Sequence, residues 1–150
     1  MIWKPNVTVA AIVEQEGKFL LVEETVSPGT TMLLNQPAGH LEAGESLVQA
    51  VVRETLEETG YTFSPAWLIG IYHWYSSEND TTYLRFAFSG DVTDFDSDFV
   101  REACIVNVGW FDLPQIEAST MRHRSPLVKQ CVQDFHAGKR YPIEILTHYN

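Results

Sequence analysis

Three glutamates, Glu54, Glu57 and Glu58, fall within a segment that has the apolar periodicity of an amphipathic helix. Their spacing of i, i+3 and i+4 places the three carboxylates on one side of such a helix. Like charges at this spacing repel one another, and the helix dipole disfavours anions near the carboxyl end where they lie. A bound cation would remove this conflict, and Mg²⁺ and Mn²⁺ prefer such hard oxygen ligands.

The helix itself is predicted to begin after Ser46 and to end at Gly60, which are typical start and stop residues. Its apolar side is predicted to carry Val48, Val52 and Leu56 toward the core, with the glutamates on the opposite side. A solvated acidic helix face is the alternative interpretation, because glutamate is a good helix former and common on protein surfaces.

The residues around these glutamates extend the cluster into a longer pattern. The stretch from 39 to 61 resembles the nudix hydrolase signature G-x5-E-x7-R-E-U-x-E-E-x-G-U, in which U is a bulky aliphatic or aromatic residue. The matching positions are Gly39, Glu45, Arg53, Glu54, Glu57, Glu58, Gly60 and Tyr61. Thr55 departs from the signature, where a larger apolar residue is usual, but it lies on the core side of the predicted helix.

The resemblance implies a fold, a reaction and a set of roles. The fold is an α/β/α sandwich around a mixed β-sheet. The reaction is the attack of water on a phosphoanhydride bond, with Mg²⁺ as cofactor and Mn²⁺ as a substitute. Glu54, Glu57 and Glu58 would be the metal ligands, together with the Gly39 carbonyl. Arg53 would pair with a glutamate and hold it in place.

Outside the signature, the chain also resembles the NudJ-type bacterial phosphatases, from Lys4 to about Leu146. The segments "LNQPAGHLEAGESL", "LRFAF", "RSPLV" and "GKRYPIEIL" carry this likeness. It implies hydrolysis of nucleoside tri- and diphosphates and of hydroxymethylpyrimidine pyrophosphate, with release of orthophosphate. Two alternatives stay open, which are a pyrophosphohydrolase that releases pyrophosphate and a non-catalytic nucleotide-binding module.

Substrate contacts are predicted from side-chain chemistry. Arg85 and Arg124 could each bind a phosphate, with a salt bridge as the alternative for Arg85 and simple exposure as the alternative for Arg124. The aromatic rings of Trp74, Tyr72 and Tyr83 could stack on a base, although aromatic residues on strands more often belong to the core.

A further carboxylate is implied by the family resemblance. In many relatives, an acidic residue in the loop before the strand that carries "WF" helps to activate water. Glu102 and Asp98 are the two candidates in this chain.

Composition restricts the class of protein. The 150 residues are predicted to form one domain, 1–150, and the net charge of −10 argues against a nucleic-acid-binding surface. A phosphorylated small molecule remains a suitable partner because a bound divalent metal inverts the local charge. Cys104 and Cys131 form no CxxC pair, and no membrane span or signal peptide is recognised, so we expect a cytoplasmic protein. A monomer and a homodimer are both compatible with the sequence.

Several strands and two further helices are predicted around the signature. Alternating and β-branched residues indicate strands, and Pro114 and Pro126 mark the first turns of the helices. The predicted strands are 7–13, its hairpin partner 18–25, 65–76, 81–92 and 104–113, and the helices are 113–120 and 125–139. Pro28-Gly29 is predicted to form a turn, and the tail after Lys139 has no predicted structure.

Overall fold

The computed structural model describes residues 1–25 and 31–150, and it contains nine strands and three α-helices within them. Two short 3₁₀ helices cover Thr120–Arg122 and Ile143–Ile145. The elements are, in chain order, β1 (Asn6–Ile12), β2 (Glu14–Gln15), β3 (Lys18–Glu24), β4 (Leu33–Asn35), β5 (Ala38–His40), α1 (Leu47–Thr59), β6 (Thr62–Ser76), β7 (Thr81–Thr93), β8 (Ile105–Asp112), α2 (Leu113–Ala118), α3 (Leu127–His136) and β9 (Tyr141–Pro142). The predicted Pro28-Gly29 turn lies outside the described residues.

The strands form two sheets. The larger sheet has the order β5-β1-β7-β6-β9 and is mixed, because β1 runs parallel to β7 while the other pairings are antiparallel. The smaller sheet is antiparallel, with β3 paired to β2, β4 and β8. The long strands β6 and β7 pair along nearly their whole length, and β7 is the central strand of the larger sheet.

Two hydrophobic clusters cover the two faces of the larger sheet. Side chains alternate along a strand, so Val9 and Ala11 of β1 belong to one cluster and Ile12 to the other. The first cluster packs against α1 through Ala50 and Val51. The second packs against α2 and α3 and includes, from those helices, Ile116, Cys131 and Val132. The predicted α/β/α sandwich around a mixed sheet is therefore confirmed.

The predicted hairpin between the first two long strands is wrong. β1 is bonded to β5 and β7 in the larger sheet, whereas β3 belongs to the smaller sheet. The chain reverses at Glu16 and Gly17, which both have positive φ. Pairing with β3 across that turn is limited to β2 and to Val13, whose carbonyl accepts a hydrogen bond from the Leu20 N–H at 3.0 Å. Both neighbours of β1 in the larger sheet, β5 and β7, are distant from it in sequence.

The predicted orientation of α1 is also wrong in part. Glu54 and Glu58 are buried, with 8% and 4% of their surface exposed, whereas Leu56 is 42% exposed. The side of α1 that carries Val51, Glu54, Thr55 and Glu58 faces the protein. The buried carboxylates are tolerated because each accepts a hydrogen bond there, as described below.

The ends of the helices follow the sequence signals. Ser46 caps α1 in a capping box with Gln49, and Gly60 ends it at a φ of 79°. Pro126 stands at the N-terminal end of α3, and the Oγ of the preceding Ser125 accepts a hydrogen bond from the Leu127 N–H at 3.1 Å. The tail forms β9 on the edge of β6. None of the helices in the described ranges has the length and apolar character that crossing a membrane requires.

Candidate active site

A cavity of about 790 Å³ lies where α1, β5, β7 and the loop before β8 meet. Most of the residues predicted from the sequence line it, although they come from separate parts of the chain. Those lining residues are Gly39, Glu54, Glu58, Trp74, Tyr83, Arg85, Glu102 and Arg124. The structure thus brings the predicted substrate contacts to one place with all of the predicted metal ligands except Glu57, which does not line the cavity.

Helix α1 carries the three glutamates within about one turn. Glu58 Oε1 accepts a hydrogen bond from the Ala38 N–H at 2.8 Å, which ties the end of α1 to the start of β5. Glu57 is exposed. One carboxylate oxygen can be chosen from each of Glu54, Glu57 and Glu102 so that the three atoms lie within 4.8 Å of one another. Such a group of oxygen atoms is the size of a divalent-metal coordination sphere.

Gly39 lies directly against this acidic group. A Cβ atom placed on Gly39 would collide with the carboxylate of Glu54, at a separation that real Cβ atoms do not show. A larger residue at this position would therefore displace the Glu54 carboxylate, because α1 and β5 approach closely there. The role of the Gly39 carbonyl as a metal ligand stays a prediction.

Arg53 is surrounded by carboxylates. Its Nε and Nη2 donate to the two carboxylate oxygens of Glu45 at 2.9 and 2.7 Å, a bidentate pair. Its Nη1 donates to Glu54 at 2.8 Å and to Glu57 at 3.2 Å, and Glu42 lies 3.5 Å away. One guanidinium thus fixes the orientation of two predicted metal ligands.

Burial and the Arg53 contacts shift the pKa values of the carboxyl groups in opposite directions. Hydrogen bonds from Arg53 lower the pKa of Glu45. Burial raises the pKa of Glu54 despite its contact with Arg53. Burial, reinforced by Glu24, Glu54 and Glu102, raises the pKa of Glu58 to about 9 although the Ala38 N–H opposes the shift.

These residues fit a hard divalent cation. The donors are carboxylate and carbonyl oxygens, which Mg²⁺ and Mn²⁺ prefer. Burial raises the pKa values of Glu54, Glu58 and Glu24, which favours their neutral forms in the absence of a cation. A cation among them would favour the ionised forms.

The loop before β8 contributes Glu102 rather than Asp98. Glu102 lines the cavity and belongs to the acidic group of Glu54 and Glu57. Asp98 is exposed and does not line the cavity, and its backbone N–H donates to the Asp96 carboxylate within the same loop. Of the two open candidates, only Glu102 lies near the glutamates of α1.

The two predicted basic contacts differ in their surroundings. Arg85 is 6% exposed and makes no ion pair with any described residue, so the salt bridge considered as its alternative is absent from residues 1–25 and 31–150. Arg124 is partly exposed, and its Nε lies 3.8 Å from Glu24 Oε1. Both side chains line the cavity.

Trp74 and Tyr83 form one aromatic pair on the cavity wall. They are directly opposite on β6 and β7, and their rings stack with centroids 5.5 Å apart and an interplanar angle of 20°. Tyr72 is not part of this wall because its hydroxyl donates to Asp134 of α3 at 2.7 Å. The stacking role considered for Tyr72 is therefore excluded by its position.

Three cavity-region residues had no assigned role in the sequence analysis. Glu24, Asn35 and Gln36 lie at the ends of β3 and β4, close to Arg85 and Arg124. Asn35 and Gln36 belong to the segment "LNQPAG", which carries part of the resemblance to the NudJ-type phosphatases. Two adjacent amide side chains before a proline were the sequence feature that could have identified them.

Comparison with known proteins agrees with this geometry. The family model described as NUDIX domain matches residues 3–131. The chain is 40% identical over 149 residues to Phosphatase NudJ of Escherichia coli strain K12, covering 99% of this chain and 94% of that protein. The predicted likeness to the NudJ-type phosphatases is therefore confirmed.

Solved structures show the same relationship. A nudix hydrolase from Nitrosomonas europaea is 58% identical, with a TM-score of 0.95 over 97% of this chain and 98% of that one. The MutT protein from Methanosarcina mazei Go1, at 22% identity and a TM-score of 0.71 over 93% of this chain and all of that one, shares the fold. The chain therefore belongs to the nudix hydrolases, enzymes that act on phosphorus-containing acid anhydrides.

Proposed function

We propose that this nudix hydrolase is a metal-dependent phosphatase that releases orthophosphate from nucleoside tri- and diphosphates and from hydroxymethylpyrimidine pyrophosphate. The 40% identity to Phosphatase NudJ over nearly the whole chain supports the reaction type. The observation that carries the proposal is the cavity itself, which has carboxylates, guanidinium groups and stacked aromatic rings on its walls. These three surfaces match the metal, phosphate and ring portions of such substrates.

Mg²⁺, with Mn²⁺ as a substitute, is the proposed cofactor. Glu54, Glu57 and Glu58 would hold it together with the Gly39 carbonyl. When bound, the ion supplies neutralisation of phosphoryl oxygens and lowers the pKa of coordinated water. The carboxylate oxygens of Glu54, Glu57 and Glu102, which lie within 4.8 Å of one another, support a cation at this position.

The remaining roles follow from the contacts of the side chains. Arg53 holds Glu54 and Glu57 in the orientation that ligation requires. A carboxylate oxygen of Glu102 accepts the proton of the attacking water, since it lies within the same acidic group and is exposed to the cavity.

Substrate binding is assigned to the opposite wall. Arg85 and Arg124 bind phosphoryl oxygens, and Trp74 with Tyr83 provides a flat surface against which a base or pyrimidine ring stacks. We further propose that the 150 residues act as one domain in the cytoplasm on small molecules rather than nucleic acid, as a monomer or homodimer. The net charge of −10 supports the exclusion of nucleic acid.

Product analysis tests this function directly. The chain is incubated with Mg²⁺ and nucleoside tri- and diphosphates, hydroxymethylpyrimidine pyrophosphate or ADP-ribose, and orthophosphate is measured with and without added pyrophosphatase. Orthophosphate without the helper enzyme, from the first three substrate classes, is the expected result. Orthophosphate that appears only with the helper enzyme would instead assign a pyrophosphohydrolase. A chain that binds nucleotides without turnover would be a non-catalytic module.

A further inference from the structure

Arg85 is a buried cation whose partners among the described residues are neutral. The guanidinium lies on β7, on the face of the larger sheet that packs against α3, and its Nη1 is 3.9 Å from the sulfur of Cys131. Nη1 donates to Gln36 Oε1 and Nη2 to Asn35 Oδ1, both at 2.9 Å. Amide oxygens satisfy hydrogen bonds but do not cancel the charge.

The two amides are themselves held in this orientation. Gln36 Nε2 donates to the Val128 carbonyl at 2.8 Å, and Asn35 Nδ2 points to Glu24 Oε1 at 3.4 Å. Because a guanidinium can only donate, each amide must turn its oxygen toward Arg85. Arg85 is therefore held by two amides at the end of β4, and these amides are held in turn by a carbonyl of α3 and by the Glu24 carboxylate.

Part of the guanidinium remains available to the cavity. The Nε of Arg85 has no hydrogen-bond partner among the described residues. In those same ranges no fully buried side-chain nitrogen lacks a partner, so this Nε is reached from the cavity that Arg85 lines. Arg124 borders the same cavity, and its contact with Glu24 at 3.8 Å leaves donors available.

A buried charge without a counter-ion is costly, so an arrangement of this kind requires an explanation. Removing a guanidinium from water without an opposing charge costs several kcal/mol. Arg122, on the surface nearby, has the ordinary arrangement, since its Nη2 donates to Glu23 at 2.9 Å. Arg85 makes no such contact, and the carboxylate of Glu24 is separated from it by the Asn35 amide. An anion that enters the cavity can therefore supply a direct opposing charge.

We propose that Arg85 and Arg124 form an anion subsite for a phosphoryl group of the substrate, and that Asn35 and Gln36 determine its affinity by remaining neutral. A carboxylate at either amide position would form an ion pair with Arg85 and repel the phosphoryl group. Asn35 and Gln36 are thus positioning residues that act through Arg85. The proposal rests on the proposed function only for the identity of the anion.

Calorimetric titration of inorganic phosphate in the presence of Mg²⁺ tests the subsite without turnover. Asn35→Asp and Gln36→Glu are nearly isosteric and place a carboxylate beside Arg85, so both are expected to weaken phosphate binding about tenfold or more. Arg122→Gln, which removes a guanidinium outside the cavity lining, is the matched control and should bind phosphate as the wild-type chain does.

Two results would overturn the subsite. One is phosphate affinity within about twofold of wild type in both acid variants, and the other is no measurable phosphate binding by the wild-type chain. Should the buried acid variants fail to fold, Arg124→Gln at the partly exposed partner carries the test, with an expected loss of about threefold to tenfold. Unchanged phosphate affinity in that variant would then contradict the proposal.

Kinetics separate this inference from the proposed function. In the acid variants KM for nucleoside triphosphates should rise with phosphate Kd, while the Mg²⁺ dependence of turnover stays as in wild type. If the wild-type chain hydrolyses none of the substrates tested while the acid variants still lose phosphate binding, that result would support the subsite and show that the proposed substrates are wrong. Normal hydrolysis with unchanged KM in the acid variants would remove the subsite alone.

Discussion

The two arginines Arg53 and Arg85 have opposite surroundings. Arg53 contacts the carboxylates of four glutamates, whereas Arg85 contacts only amide oxygens and a sulfur among the described residues. The charge of Arg53 is therefore used within the protein to order metal-ligand candidates. In the proposed subsite the charge of Arg85 is left for an incoming anion, so the same residue type would order ligands beside one wall of the cavity and bind substrate at the other.

This difference divides the cavity into two parts. The acidic wall consists of Glu54, Glu58 and Glu102, with the exposed Glu57 beside them, and the basic wall consists of Arg85 and Arg124. Changes on the acidic wall should reduce the chemical step, because they alter the metal and water. Changes on the basic wall should raise KM, because they alter only where the substrate is held.

The largest effect is expected on the acidic wall. Glu57→Gln and Glu58→Gln each replace a carboxyl group with an amide of nearly the same shape, and the amide oxygen introduced by Glu58→Gln can still accept the Ala38 N–H. Loss of a metal ligand should reduce kcat/KM by at least about a hundredfold. Steady-state kinetics at saturating Mg²⁺ measures this.

A matched control is Glu117→Gln, which changes a surface glutamate paired with Lys129 away from the cavity. It should retain wild-type activity. Activity within about threefold of wild type in both α1 variants would show that the metal-ligand assignment is wrong.

A smaller loss is expected when the order imposed on the acidic wall is disturbed. Arg53→Lys keeps a positive charge but cannot reproduce the bidentate contact with Glu45 or reach Glu54 and Glu57 together. We expect kcat/KM to fall about tenfold to a hundredfold and to recover in part as Mg²⁺ is raised. Turnover measured across a Mg²⁺ titration checks both effects.

The conservative variant distinguishes positioning from bulk charge. If Arg53 mattered only for its charge, Arg53→Lys would show wild-type turnover and wild-type Mg²⁺ dependence. That outcome would also remove the contrast between Arg53 and Arg85, since neither contact geometry would then matter.

Close approach of β5 to α1 gives a third prediction. Gly39→Ala places a methyl group against the Glu54 carboxylate, so either the carboxylate or β5 must move. Overpacking of this kind costs about 1–3 kcal/mol of unfolding free energy, and activity should fall about tenfold. Chemical denaturation and kinetics on the same samples measure the two effects.

Gly44→Ala serves as the control for backbone strain. A Cβ at Gly44 meets no atom within 4 Å, but its φ of 83° disfavours alanine. This variant should lose about 1 kcal/mol of stability while keeping full activity. Equal loss of activity in both variants would mean that strain, and not collision with Glu54, explains Gly39→Ala.

The sequence predicts the acidic wall much better than the basic wall, for a physical reason. Glu54, Glu57 and Glu58 are brought together by one helical turn, and Arg53 precedes them directly, so local spacing specifies the cluster. Arg85 meets Asn35 and Gln36 across 50 and 49 residues of chain and between two sheets, and only the tertiary fold makes that contact.

Non-local pairing also explains the predictions that were wrong. Hydrophobic periodicity treats every glutamate as exposed, so it could not anticipate that Glu54 and Glu58 face β5. Strand pattern identified β1 and β3 but not their neighbours, because partner choice depends on strands that lie far along the chain. The layered fold was predictable, since the family signature specified it independently of those pairings.

The smallest effect is expected at the aromatic pair beside the basic wall. Tyr83 lies two residues before Arg85 on the same face of β7, and Trp74 stacks on it from β6. Stacking on a base contributes about 1–3 kcal/mol, so Trp74→Leu should raise KM for nucleoside triphosphates about tenfold. Inorganic phosphate has no ring, and its Kd should not change.

Trp67→Leu is the matched control on the same strand, because Trp67 is exposed and does not line the cavity. It should leave both KM and phosphate Kd unchanged. If Trp74→Leu weakened phosphate and nucleotide binding equally, the aromatic pair would be supporting Arg85 rather than contacting a ring. Recognition on this wall would then reside in the charged subsite alone, and the enzyme should accept any phosphoanhydride that fits between the two walls.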